Sequence, residues 1–227
     1  MLGVLTPVPY LVTVVIALAA GAALCAGARS RPGRWTVIAA RLLALVLVSD
    51  ALSWSISKLV AGTFRARTDL PLALCDAAVV VAAAACWWRK PLLVELTYFW
   101  GLAGTLQAVI TPDLNVGFPH LVFFQYLVGH LGIVLAALYL VIGLQIAPRP
   151  GSVLSTFAIT VAYTTLVGLV DALSGANYMF LRSPPGNWTL LRLLGPWPWY
   201  IASAAGIALV LLSVLDLPFW VARHHDG

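Results

Sequence analysis

Two residues in this chain have side chains suited to group transfer, Cys75 and His130. Cys75 stands in Leu70-Pro-Leu-Ala-Leu-Cys-Asp76, at the start of an apolar stretch where Pro71 suits a first helical turn. A cysteine near a helix N-terminus gains thiolate character from the helix dipole, while Asp76 beside it pushes the other way. His130 is the one histidine in the middle of an apolar segment; His120 is peripheral, and His224 and His225 sit in the tail. A histidine near a cysteine takes the thiol proton and later returns it to a leaving group. Such a pair accepts an acyl group from a lipid ester as a thioester and passes it to an alcohol or to water. Spacing alone leaves a second reading open. Free cysteine is often a small buried hydrophobe, and a histidine in a span often only bonds across helices. Depth bears on the choice: at about 1.5 Å per residue, Cys75 lies about 8 Å and His130 about 16 Å below their expected helix starts. Contact then needs the fifth helix to start farther out, or to tilt by about 20°.

A second set of polar residues lies inside or beside the apolar stretches, where an ionisable group by default suggests function. Asp50, Trp54 and Lys58 recur at i, i+4, i+8 and share one helical face. Gln107 and Asp113 end a later stretch, Gln125 accompanies His130, and Asp171 is followed by Asn177 and Tyr178. With Trp197 and Trp199, most of this set falls at one end of the expected bundle, which suggests a polar cavity opening there. Asp50 paired with Lys58 within one helix is the structural alternative.

The elements that must hold these residues follow from composition. The chain has 227 residues, of which 62% are apolar and only 9% charged. A soluble domain needs about 25% charged residues to face water, so a soluble enzyme, a disordered chain and a large extramembrane domain are excluded. A membrane helix uses about 20 apolar residues. Seven segments qualify, at about 8–27, 35–61, 70–88, 91–110, 119–146, 152–173 and 197–222. They predict an all-α polytopic transmembrane bundle forming a single integral membrane domain over residues 1–227.

Orientation follows from the connections. Arg29, Arg31, Arg34, Arg89, Lys90, Arg149 and Arg223 fall on one side, against Arg65, Arg67, Arg182 and Arg192 on the other. The positive-inside bias places the N-terminus outside and the C-terminus inside. Trp35, Trp87, Trp88 and Trp220 mark the inner interface, and Trp197, Trp199 and Tyr200 the outer one. The basic residues act as orientation signals, so no nucleic-acid partner is expected. The first 27 residues lack the positive start of a secretory signal, so the first segment is expected to remain as a membrane helix. Cys25, Cys75 and Cys86 form no disulfide framework or zinc motif. No P-loop, GxGxxG or HExxH is present, and no metal or other cofactor is expected.

Several stretches resemble the YwaF-type bacterial integral membrane proteins: LPLALCDAAVV (70–80), ELTYFWGLAGTLQAVITPDL (95–114), FPHLVFFQYLVGH (118–130), GLVDALSGANYMFLRSPP (168–185) and LLGPWPWY (193–200). These proteins are similar to the eukaryotic transmembrane protein 164, a phospholipid acyltransferase, and more distantly to the androgen-induced membrane hydrolases, which use threonine and histidine. The resemblance implies a catalytic cysteine and a later histidine, which by motif position are Cys75 and His130. It also implies a bacterial inner-membrane location. Ala73 departs from the family pattern, which often has histidine two residues before the cysteine. The resulting expectation is a lipid acyltransferase or esterase acting through a thioester on a membrane lipid. Asp50, Lys58, Asp113, Gln125, Asn177, Tyr178, Trp197 and Trp199 would line the substrate site. The rival expectation is a transporter or lipid-binding protein in which Asp50, Lys58 and Asp113 matter more than Cys75.

Overall fold

A computed structural model describes residues 7–112, 114, 116–184 and 190–225. Seven long helices run in succession: α1 (Pro7–Ser30), α2 (Arg34–Val60), α3 (Leu74–Trp88), α4 (Pro91–Ile110), α5 (Leu121–Gly143), α6 (Ser152–Ser174) and α7 (Trp199–His225). No strand occurs among the described residues. All but α3 are long and apolar enough to cross a membrane, so the chain is an all-helical, multi-pass membrane protein.

The bundle is built around α3, which packs against α2, α4 and α5. Ala78, Ala82, Ala83, Ala85 and Cys86 are buried on α3. Side chains this small let neighbouring backbones approach closely, which is how helices associate in lipid. Phe99 and Trp100 of α4 and Ile133, Ala136 and Tyr139 of α5 complete that core. Helices α6 and α7 are peripheral: Leu154, Leu166, Leu173, Val210 and Trp220 all lie exposed on them, as expected of lipid-facing surfaces.

Two helices change pitch partway. Trp100–Thr105 of α4 and Tyr139–Gly143 of α5 are π-helical, a geometry that recurs at functional sites. In the first, Gly101 permits close packing, since a Cβ there would meet Ala137 Cβ at 3.2 Å and the Ile133 carbonyl at 3.4 Å.

The start of the third helix differs from expectation. Helicity begins at Leu74, not near residue 70, and Pro71 lies outside the first turn. The reason is that the preceding backbone finds its partners elsewhere. Leu70 N–H donates to the Tyr178 hydroxyl at 2.9 Å, Leu72 C=O accepts from Tyr163 at 3.0 Å, and Asp76 accepts the Ala73 N–H at 3.0 Å. Tyr200 is buried at the start of α7, and its hydroxyl donates to the Phe180 carbonyl. Trp35, Trp87, Trp88, Trp197, Trp199 and Trp220 are all exposed.

Candidate functional site

Cys75 is the second residue of α3. Its thiol lies within hydrogen-bonding reach of the Thr105 hydroxyl at the end of the π segment of α4. Thr105 is buried, and the Leu74 side chain packs beside Gly104, so α3 meets α4 closely at this level. Asp76 is occupied by the Ala73 N–H and so belongs to the helix start.

His130 sits midway along α5. Its Nδ1 lies 2.8 Å from the Tyr126 carbonyl one turn earlier. A carbonyl only accepts, so Nδ1 carries the proton, and in the neutral ring Nε2 keeps a lone pair. Nε2 makes no hydrogen bond among the described residues. The ring stacks on Tyr126 with centroids 4.1 Å apart, and the Tyr126 hydroxyl donates to the Ala108 carbonyl of α4 at 2.7 Å. Thr105 and Ala108 are three residues apart on α4, one helical turn. Cys75 thus stands beside Thr105, and the Tyr126 ring that stacks on His130 is tied to Ala108 one turn further along the same helix. No hydrogen bond joins Cys75 to His130 directly among the described residues.

Next to His130, Gly129 lets α2 come close: a Cβ there would stand 3.0 Å from Asp50 Oδ2. Gln125 Nε2 donates to Ser53 Oγ at 2.9 Å, and Ser53 donates to the Asp50 carbonyl at 2.8 Å. Gln125 Oε1 is buried without a partner. Asp50, Ser53 and Gln125 therefore occupy one polar seam between α2 and α5, closed at Gly129, while the adjacent His130 turns with Tyr126 toward the α4 side.

The other expected residues divide from this seam. Lys58 pairs with Asp69 at 3.4 Å and lies over the Trp54 ring, so it does not form the internal pair with Asp50. Asn177 Oδ1 accepts from the backbone N–H groups of Arg182 and Ser183, at 2.8 and 3.2 Å. Tyr178 donates to the Ala66 carbonyl at 2.8 Å, and burial pushes its phenol above its ordinary pKa. Trp197 donates to the Leu181 carbonyl at 3.0 Å, while Trp199 is exposed. Asp113 lies outside the described residues. Asn177, Tyr178 and Trp197 thus organise loops, and two shallow cavities lie away from all of them. One, of about 240 Å³, is lined by Glu95, Arg149 and Ser152; the other is an apolar groove beside Trp87 and Trp88. No group of three or more His, Cys, Asp or Glu among the described residues could hold a metal ion.

Thr105, Tyr126 and Ser53 escape the reading from sequence. Tyr126 stands four residues before His130, and Thr105 lies within a quoted motif stretch, yet only the packing of α3 on α4 and of α4 on α5 shows what they touch.

The profile of the TMEM164 family matches residues 2–216, nearly the whole chain. The chain belongs to the TMEM164 family. A protein of Treponema pallidum (strain Nichols), described only as an uncharacterized protein, is 28% identical to it over 167 residues. That match covers 70% of this chain and 65% of the relative, so the chain spans about two thirds of the relative's length. No solved structure matches. Family membership agrees with a multi-pass membrane protein and with the resemblance carried by the Cys75 and His130 stretches.

Proposed function

We propose that this TMEM164-family protein is a lipid acyltransferase or esterase of the bacterial inner membrane, with Cys75 as nucleophile and His130 as general base and acid. What supports this reading is that His130 Nδ1 is fixed as donor with Nε2 left with a lone pair, while the Thr105 hydroxyl beside the Cys75 thiol and the Ala108 carbonyl that holds Tyr126 lie one turn apart on α4. Nε2 takes the thiol proton, and sulfur attacks the ester carbonyl of a membrane lipid. The carbon–sulfur bond forms, the ester carbon–oxygen bond breaks, and the leaving alkoxide takes the proton from Nε2. In the second half, a lysolipid hydroxyl or water gives its proton to Nε2 and attacks the thioester. The thiolate leaves and recovers the proton. Thr105 acts as a positioning residue, since its hydroxyl fixes the direction of the sulfur.

Substrate binding brings Nε2 and sulfur into line, as catalytic hydrogen bonds often tighten only in the substrate complex. The orientation with the N-terminus outside places Cys75 toward the outer leaflet.

Labelling with an acyl-directed thiol probe tests the assignment. Wild-type protein is expected to form a hydroxylamine-sensitive adduct on Cys75, while Cys75→Ser forms none. Undiminished labelling in His130→Ala overturns the assignment of the base.

A further inference from the structure

One charged cluster near the Cys75 end of the bundle has no role in the chemistry above. Arg67, in the loop between α2 and α3, and Arg182, in the turn after α6, converge on Gly175. The point where a Gly175 Cβ would stand is 3.7 and 3.8 Å from Arg67 Cζ and Nη2, and 3.9 Å from Arg182 Nη1. The two guanidinium nitrogens are therefore no farther apart than the sum of the last two distances. Gly175 has φ +72°, a conformation that favours glycine, and its missing side chain leaves the space between the arginines open.

The placement is built. Tyr178 binds both the Ala66 carbonyl and the Leu70 N–H, which fixes the loop on either side of Arg67. Asn177 holds the backbone N–H of Arg182. Arg182 Nη1 reaches the Ala176 carbonyl at 3.3 Å, a contact the C-terminal end of a helix favours for a cation. Neither arginine forms an ion pair among the described residues. Asp171, the carboxylate one turn back on α6, is fully buried and accepts the Tyr178 N–H instead. Both guanidiniums are exposed, the nearby carboxylates Asp69 and Asp171 stand beyond ion-pair distance of them, and on the orientation proposed above the pair runs against the positive-inside bias.

The geometry points to a phosphate seat: Arg67 and Arg182 bind the phosphate of an acyl lipid whose ester reaches Cys75. A phosphate oxygen accepts a guanidinium N–H at about 2.8 Å, and a tetrahedral anion bridges a gap of this size. The same loop, residues 67–74, leads from Arg67 directly into α3 and Cys75. This inference rests on the acyl-transfer reading for its lipid and assigns the two residues that hold that lipid's phosphate.

Calorimetric titration of the purified full chain in nonionic detergent tests it, with dibutanoylphosphatidic acid, dibutanoylglycerol and inorganic phosphate as probes. Phosphatidate is expected to bind at least about tenfold more tightly than the neutral glyceride, and Arg67→Gln or Arg182→Gln to weaken it about tenfold, the effect of one charge-assisted hydrogen bond. Arg65→Gln is expected to change neither. Unchanged phosphatidate affinity in the double glutamine variant overturns the seat, and inorganic phosphate binding as tightly as phosphatidate overturns the lipid as its source. In wild-type protein, phosphatidate should shield Arg67 and Arg182, and not Arg65, from phenylglyoxal; equal modification with and without it overturns the seat without any variant. Arginine-dependent binding that persists while Cys75 never acylates leaves the seat standing and removes the transfer reading. Acylation of Cys75 with no arginine dependence does the reverse.

Discussion

Two polar clusters lie in this bundle, and they are finished to different degrees. Near the start of α4, Glu95 is fully buried, and Arg149 closes on it with both ends of its guanidinium, at 2.7 and 3.0 Å; the Arg149 backbone N–H adds a third bond at 3.0 Å. Every oxygen is used. In the seam between α2 and α5, Asp50 has no ion pair among the described residues and Gln125 Oε1 is buried without a partner, and next to that seam His130 keeps a nitrogen lone pair. A buried charge answered by a bidentate partner locks two helices together. Polar groups left with unused valence in an apolar setting are unfavourable unless something else calls on them. The difference separates a fastening from the proposed reaction site, although both are equally improbable in a membrane helix by composition.

That comparison breaks or sharpens under substitution. The largest expected effect is at the reaction site: Cys75→Ser abolishes acyl labelling, and His130→Ala slows it about a hundredfold or more, the usual share of a general base, with the melting temperature of the detergent-solubilised protein little changed. The opposite pattern is expected at the fastening. Arg149→Ala removes the guanidinium and leaves the buried Glu95 carboxylate only the backbone N–H, so the melting temperature falls by several degrees while labelling per folded molecule holds. Loss of labelling with no thermal change there contradicts the division. Gly129→Ala tests the join between α2 and α5, because the new methyl group stands 3.0 Å from Asp50 Oδ2; a severalfold loss of labelling with modest destabilisation is expected. The effect of Gln125→Leu is smaller, within about 1 kcal/mol in a denaturation series, since it removes an orphaned acceptor along with one good bond. Trp199→Ala is the smallest. That ring is exposed, and neither labelling nor melting temperature is expected to move.

Much of this was legible in the residues. Charge scarcity and the seven apolar runs give the helices, because a bilayer forces every backbone group into helical bonds. Cys75 and His130 stand out by type and motif. What stayed hidden lies between helices. Lys58 reads as a partner of Asp50 along α2, but the chain returns Asp69 to it at 3.4 Å. Asn177 and Tyr178 read as lining residues, yet they bind backbone in the loops, because a turn next to a membrane must satisfy its own amides. Thr105 carries no mark in the linear sequence; it matters because a π-helical turn presents it to α3.

The brevity of α3 has a consequence for the lipid around it. Fifteen residues rise roughly 22 Å, against about 30 Å of hydrocarbon. At its far end, exposed Trp88 runs into Arg89 and Lys90 at the interface, so the shortfall falls at the Cys75 end. There the non-helical stretch before Leu74 is covered by the Tyr163 and Tyr178 hydroxyls and by Asp76 of α3 itself. A bilayer thins beside a span that is too short for it. On the acyl-transfer proposal, headgroups and ester carbonyls then sink toward Cys75, and the membrane itself does part of the work of delivering the substrate.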